Sequence, residues 1–148
     1  MKIDDIIEEW KKDSVIDSVE LDRESMHIPN LHAKYLAVLS SARRKRKGFI
    51  YKKRILERDL KEYYKGDLNN PEDLTRIKRD PWERKLLKQD VDSYVEADNE
   101  IIELDGKIDM QSEIIYVLEE IIKAINNRGF QISTAVKWRA LTQFSGDA

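Results

Sequence analysis

The 148-residue chain has no cysteine, which excludes a disulfide framework, thiolate metal sites and a cysteine nucleophile. Only three prolines and five glycines interrupt it, too few punctuation points for a sandwich or barrel of short strands. No apolar run approaches the roughly 20 residues needed to span a bilayer. The opening MKIDDIIEEW, with four acids and a tryptophan, reads against a signal peptide. These absences point to one ordinary domain in a reducing compartment, with no membrane association and a cytoplasmic location. Glycine-rich phosphate loops, nucleophile elbows and HExxH pairs are missing. His27 and His32 are five residues apart, whereas helical metal pairs want three or four. No metal, cofactor or catalytic residue is expected, and the chain reads as a non-enzyme.

A strong charge of either sign is also lacking overall: 27 bases face 29 acids. The balance hides a segregation. Between Arg43 and Lys65, eleven bases against three acids leave +8, whereas from Asp90 to Glu120 eleven acids face Lys107 alone. Residues 1–30 carry nine acids and four bases. The basic block is where an anionic polymer would bind.

With 38% charged residues, the apolar positions define the elements. Ile3, Ile6, Ile7 and Trp10 predict a short amphipathic helix over 3–12. Asp17 and Glu20 resemble a capping box, and Pro29 is expected to kink or restart the helix that follows. Leu31, Tyr35, Val38, Ala42, Phe49, Leu56, Leu60 and Tyr63 predict a long basic helix over 30–65, stopped by Gly66. Residues 66–80 form a polar connector with a turn at Asn70-Pro71. Asp80-Pro81-Trp82-Glu83 is a start signal, and Leu87, Tyr94, Ala97, Ile101, Leu104, Ile108, Gln111, Ile115, Leu118, Ile122 and Ile125 predict an acidic heptad helix over 81–127. Asn126-Asn127-Arg128-Gly129 is the expected end. Ser133 would cap a last helix, over 130–145, carrying Val136, Trp138, Leu141 and Phe144. The fold expected is an all-α single domain over 1–148: a long antiparallel hairpin with short N- and C-terminal helices.

Ile114, Val117 and Ile121 add a second apolar stripe beside the hairpin seam. Either the C-terminal helix or another subunit must cover it. The oligomerisation candidates are Ile114, Val117, Leu118, Ile121, Ile122, Ile125, Phe130, Trp138 and Leu141. In the basic block, Phe49, Tyr51, Tyr63 and Tyr64 interleave with the cations, a composition suited to holding phosphates and stacking bases of a single strand. Phe49 and Tyr63 fall on the seam and read as core, whereas Tyr51 and Tyr64 are the better stacking candidates. The competing reading, a coiled-coil scaffold or adaptor, has the acidic arm pair internally with the basic block.

Several short segments carry a resemblance. Glu8-Glu9-Trp10-Lys11-Lys12-Asp13 followed by Ile16-Asp17-Ser18, then Lys34, Leu36, Ser40 and Ser41, are similar to the opening of the UvsY family of T-even-type phage recombination mediators. Arg58-Asp59-Leu60-Lys61-Glu62-Tyr63-Tyr64-Lys65-Gly66 resembles its basic segment ending in paired tyrosines. Ala124-Ile125-Asn126-Asn127-Arg128-Gly129-Phe130-Gln131-Ile132, then Arg139-Ala140, resembles its close. The resemblance implies a ring-like homo-oligomer, a hexamer or heptamer, acting in recombination, repair and replication inside the infected bacterial cell. It implies binding of single-stranded DNA and partnership with a RecA-type recombinase and the phage single-strand binding protein. It further implies two binding bases separated by one residue: Arg58 matches the first, but Leu60 occupies the second position and Lys61 follows. The DNA-binding candidates are therefore Arg43, Arg44, Lys45, Arg46, Lys47, Lys53, Arg54, Arg58, Lys61 and Tyr64.

Overall fold

A computed structural model describes residues 1–146, with side chains through Gln143; the side chain of Phe144, named above, lies outside the described residues. The helices are α1 (Ile3–Asp13), α2 (Leu21–Lys65), α3 (Pro71–Ile77), α4 (Val91–Glu96) and α5 (Asn99–Gly146), and no strand occurs among the described residues. The all-α expectation holds. Two compact units make up the chain: Met1–Arg43 with Ser112–Ala148, and Arg44–Gln111.

The first unit packs Ile6 of α1, Leu31, Tyr35, Leu39 and Ala42 of α2, and Ile114, Leu118, Ile121 and Ile125 of α5 into one core. Here α2 and α5 run antiparallel: Arg43 pairs with Glu119, whereas Glu24 meets Arg128. The apolar steps of three and four explain this directly, since they line one helix face. Cover for the second stripe comes from α1 and α2 of the same chain, which bury Ile114 and Ile121. Lys34 clamps α1 through Glu9 at 2.7 Å and Asp13 at 2.6 Å, and the Tyr35 hydroxyl donates to Asp13 at 2.8 Å.

The second unit packs Leu60, Tyr63 and Tyr64 of α2 against Leu68, Leu74, Val91, Val95 and Ile101. Its α2 and α5 segments are antiparallel as well, with Lys53 meeting Asp105 and Tyr64 meeting Asp98.

Four expected boundaries are corrected. Helix α2 starts at Leu21 and continues through Pro29, which is exposed like Ser25 one turn before it. Lacking an N–H, Pro29 returns no helical bond to the Ser25 carbonyl. Asp17 accepts from the Val19 amide at 2.9 Å in the loop before α2, so it is no cap. The 66–80 connector contains α3, capped by Asn70 with Pro71 in the first turn. Residues 81–87 are irregular, and the acidic helix starts at Asn99, not at 81. Trp82 is instead drawn into an aromatic cluster, 4.7 Å from Tyr64 and 5.9 Å from Tyr94. At the other end α5 does not stop at Asn126-Gly129. Arg128 is buried and donates to the carbonyls of Asp13 and Val15 and to Glu24, which holds the helix through the expected break. The expected 130–145 helix is the last part of α5, with Ser133 in its interior.

Gly66 does end α2. At φ 83° it lets the Gly66 amide reach Tyr63 and the Asp67 amide reach Glu62, satisfying the last carbonyls.

Candidate nucleic-acid interface

Within the second unit, α2 turns one face to the core and leaves the opposite one to solvent. Phe49, Lys53, Leu56, Leu60, Tyr63 and Tyr64 occupy the inner arc, all buried or half-buried. Arg44, Lys47, Tyr51, Arg54, Arg58, Lys61 and Lys65 are all exposed and recur at alternating steps of three and four. At about 100° per residue they fall within an arc of about 100° and span about 32 Å of helix. The segment's acids stand aside from this row: Asp59 is buried, Glu57 is half-buried and Glu62 lies at the edge.

The row's charge is largely uncommitted. Arg44, Lys47, Arg54, Lys61 and Lys65 have no ion-pair partner among the described residues. Arg58 reaches Asp59 at 3.5 Å, but that carboxylate is held more closely by Arg76 at 2.9 Å. Arg54 lies 5.7 Å from the centroid of the Tyr51 ring.

Behind this face a buried polar network fixes the end of α2. Arg79 grips Asp98 with two hydrogen bonds, 2.6 and 2.8 Å, and the Tyr64 hydroxyl donates to the same carboxylate at 2.6 Å. Asp98 also caps α5 by accepting from the Glu100 amide at 3.0 Å. Burial disfavours the Asp98 charge, but the bonds from Arg79 and Tyr64 outweigh it and hold the carboxyl below its ordinary range. Burial and the Asp98 bond push the Tyr64 hydroxyl up. The network ties the end of α2 to Arg79 and to the start of α5.

The candidate residues therefore separate. Arg44, Lys47, Arg54, Arg58 and Lys61 share the exposed row, and Lys45 is exposed on another side of the helix. Arg43 belongs to the first unit and pairs with Glu119 at 3.1 Å, and Arg46 is half-buried. Lys53 faces inward and binds Asp105 at 2.7 Å, a contact that raises its pKa. Tyr64 is corrected as a stacking candidate: it is 8% exposed, with both ring and hydroxyl engaged. Lys65 joins the row although it was not among the candidates; its step of four from Lys61 was the available signal. Of the oligomerisation candidates, Ile114, Leu118, Ile121 and Ile125 are spent in the first unit's own core, with Val117 and Ile122 packed at its edge. Phe130, Trp138 and Leu141 stay 76%, 65% and 64% exposed on α5.

No group of three or more potential metal ligands is assembled among the described residues, and none of their helices is long and apolar enough to cross a membrane.

The fold and this row define an all-helical protein with a linear cationic face. Residues 9–145 match the family described as recombination, repair and ssDNA binding protein UvsY, and the chain belongs to that family. It is similar to the recombination protein uvsY of Enterobacteria phage T4, with 26% identity over 140 residues, 95% of this chain and 96% of that one. Crystal structures of the bacteriophage T4 recombination mediator protein UvsY share the fold. Lattice type IV aligns with a TM-score of 0.82 at 23% identity, over 95% of this chain and 99% of that one. Lattice type I gives 0.80 at 23% identity, over 93% and 98%.

Proposed function

We propose that this chain is a recombination mediator. It binds single-stranded DNA along the α2 row as a homo-oligomer, and helps a RecA-type recombinase displace single-strand binding protein. The observation that carries this reading is the row itself: six exposed cations and one tyrosine in register on one helix, in a chain whose family binds single strands. Six cations give each subunit an upper limit of about −4 for the slope of log affinity against log salt. Assembly through Phe130, Trp138 and Leu141 would repeat this modest site on one body, so that each further contact becomes intramolecular.

The test is a titration of labelled single-stranded DNA across a salt series, with mass measured by light scattering on the same samples. Salt-sensitive binding that tracks an assembled species is expected. Replacing Arg58 and Lys61 together by alanine should make the slope shallower by about 1.4 per engaged subunit, at unchanged mass. Unchanged affinity and slope would remove the row from the DNA path. The pairs Arg43–Glu119 and Lys53–Asp105 favour a second reading, a scaffold with internally matched charge. That reading predicts assembly with no binding even at low salt.

A further inference from the structure

We infer that Tyr51 is a base-stacking platform that makes the α2 face selective for single-stranded over duplex nucleic acid. This rests on the reading of the row as a strand-binding face. Tyr51 is the only exposed aromatic among the described residues of the second unit; Tyr63 and Tyr64 are buried, and Phe49, Trp82 and Tyr94 are half-buried. Tyr63 and Tyr64 also have bonded hydroxyls, to the Asp80 carbonyl and to Asp98. Tyr51 has no such bond and stays 55% exposed, so neither the core nor a polar network accounts for its placement.

Its surroundings suit an unstacked base. Lys47 stands four residues before it and Arg54 three after it, so cations flank the ring along the helix axis. Arg54, 5.7 Å from the ring centroid, restrains the ring from one direction. Ile55, one turn on and 52% exposed, extends the ring into a small apolar island within the cationic face. A phosphate chain following Lys47, Arg54 and Arg58 would carry a base across that island. In a duplex both faces of every base are already stacked on neighbours, so the ring is left without a partner. A single strand has free faces, and every base offers one, so this contact discriminates strand state without reading sequence.

The experiment uses the full chain and three 5′-labelled probes of equal phosphate number: a base-bearing single strand, a single strand of abasic sites, and a duplex. Tyr51→Ala should weaken binding to the base-bearing strand at least about fivefold, with little change for the abasic strand or the duplex. Its salt slope should stay that of the unsubstituted protein, because no phosphate contact is lost. Tyr51→Phe should keep full affinity, because stacking needs the ring and not the hydroxyl. Equal losses on base-bearing and abasic strands, or no loss on either, would overturn the inference. If Tyr51→Ala is neutral while the Arg58 and Lys61 double substitution weakens binding, only the stacking role fails. If neither changes binding, the strand-binding face itself is misplaced.

Discussion

Leu60 stands where the family resemblance implies the second of two spaced bases, and it is fully buried against the second unit's core. One residue further along the helix, the outward position belongs to Lys61, three residues from Arg58 and on its face. The shift by one residue thus exchanges a core position for a solvent one, and we propose that Lys61 supplies the second contact. On the buried side of the same helix end, Asp98 supports a pH prediction. Its carboxyl is held below its ordinary range when folded, so its contribution to stability is complete above the unfolded value of about 4. That contribution falls away as pH drops through the folded value. Asp13, where the Lys34 and Tyr35 bonds outweigh burial, adds the same dependence in the first unit. Asp98→Asn should cost about 2 kcal/mol at pH 7, less than the 3–5 typical of a fully buried pair, because Arg79 keeps Glu100 at 3.1 Å. Urea midpoints at pH 7 and pH 3 provide the check: the gap between wild type and variant should shrink at the lower pH. A gap of equal size at both would refute the assignment.

Helices α2 and α3 end in the same way with different residues. The Lys78 and Arg79 amides return to Thr75 and Leu74, the pattern that Gly66 and Asp67 make at the end of α2. Lys78 does so at φ 57° and ψ 49°, where a side chain crowds its own backbone. Lys78→Gly should therefore stabilise the second unit by about 1 kcal/mol, seen as a higher urea midpoint with unchanged slope. Gly66→Ala should destabilise by a similar amount, because the added methyl meets open space and only the backbone strain counts. The same elements show where a sequence stops being legible. The apolar rhythm of Leu31, Tyr35 and Ala42 and of Leu118 and Ile125 was readable because each helix keeps one face to one partner. Its phase near Ile114 was harder, because a third helix packs there and makes Ile114 and Ile121 core. The start at Pro81 and the stop at Gly129 carried good local signals, yet long-range burial overrode both. Trp82 joined tyrosines from two other segments, and Arg128 found acceptors more than a hundred residues away in sequence. No local propensity encodes such partners. Within the basic block, composition identified the segment, but only the helix phase separated the outward row from Lys53 and Tyr64.

At the scale of the whole molecule, the cationic row of α2 and the exposed apolar face near the end of α5 fall in different units. The second carries the cationic row and the first carries Phe130, Trp138 and Leu141. The last three stand within an arc of about 80° on α5, so one helical face holds them all. Solvated apolar residues gathered this way mark a protein interface more readily than scattered ones. Separate units make the proposed assembly and binding separable by substitution. Phe130→Asp with Trp138→Asp introduces two charges at positions 76% and 65% exposed, where the subunit's own core is not disturbed. The expected product is a folded monomer with its helical circular dichroism retained and every row residue intact. If affinity arises from repetition of a weak site, that monomer should bind single-stranded DNA at least about 100-fold more weakly than the assembly at equal salt. Its salt slope should be no steeper than about −4, the limit for one row of six cations, whereas the assembly exceeds that value. The Arg58 and Lys61 variant is the converse case, keeping its mass and losing slope. A monomer binding as tightly as the assembly would place the whole affinity in one subunit and leave the exposed α5 face without a role in DNA binding.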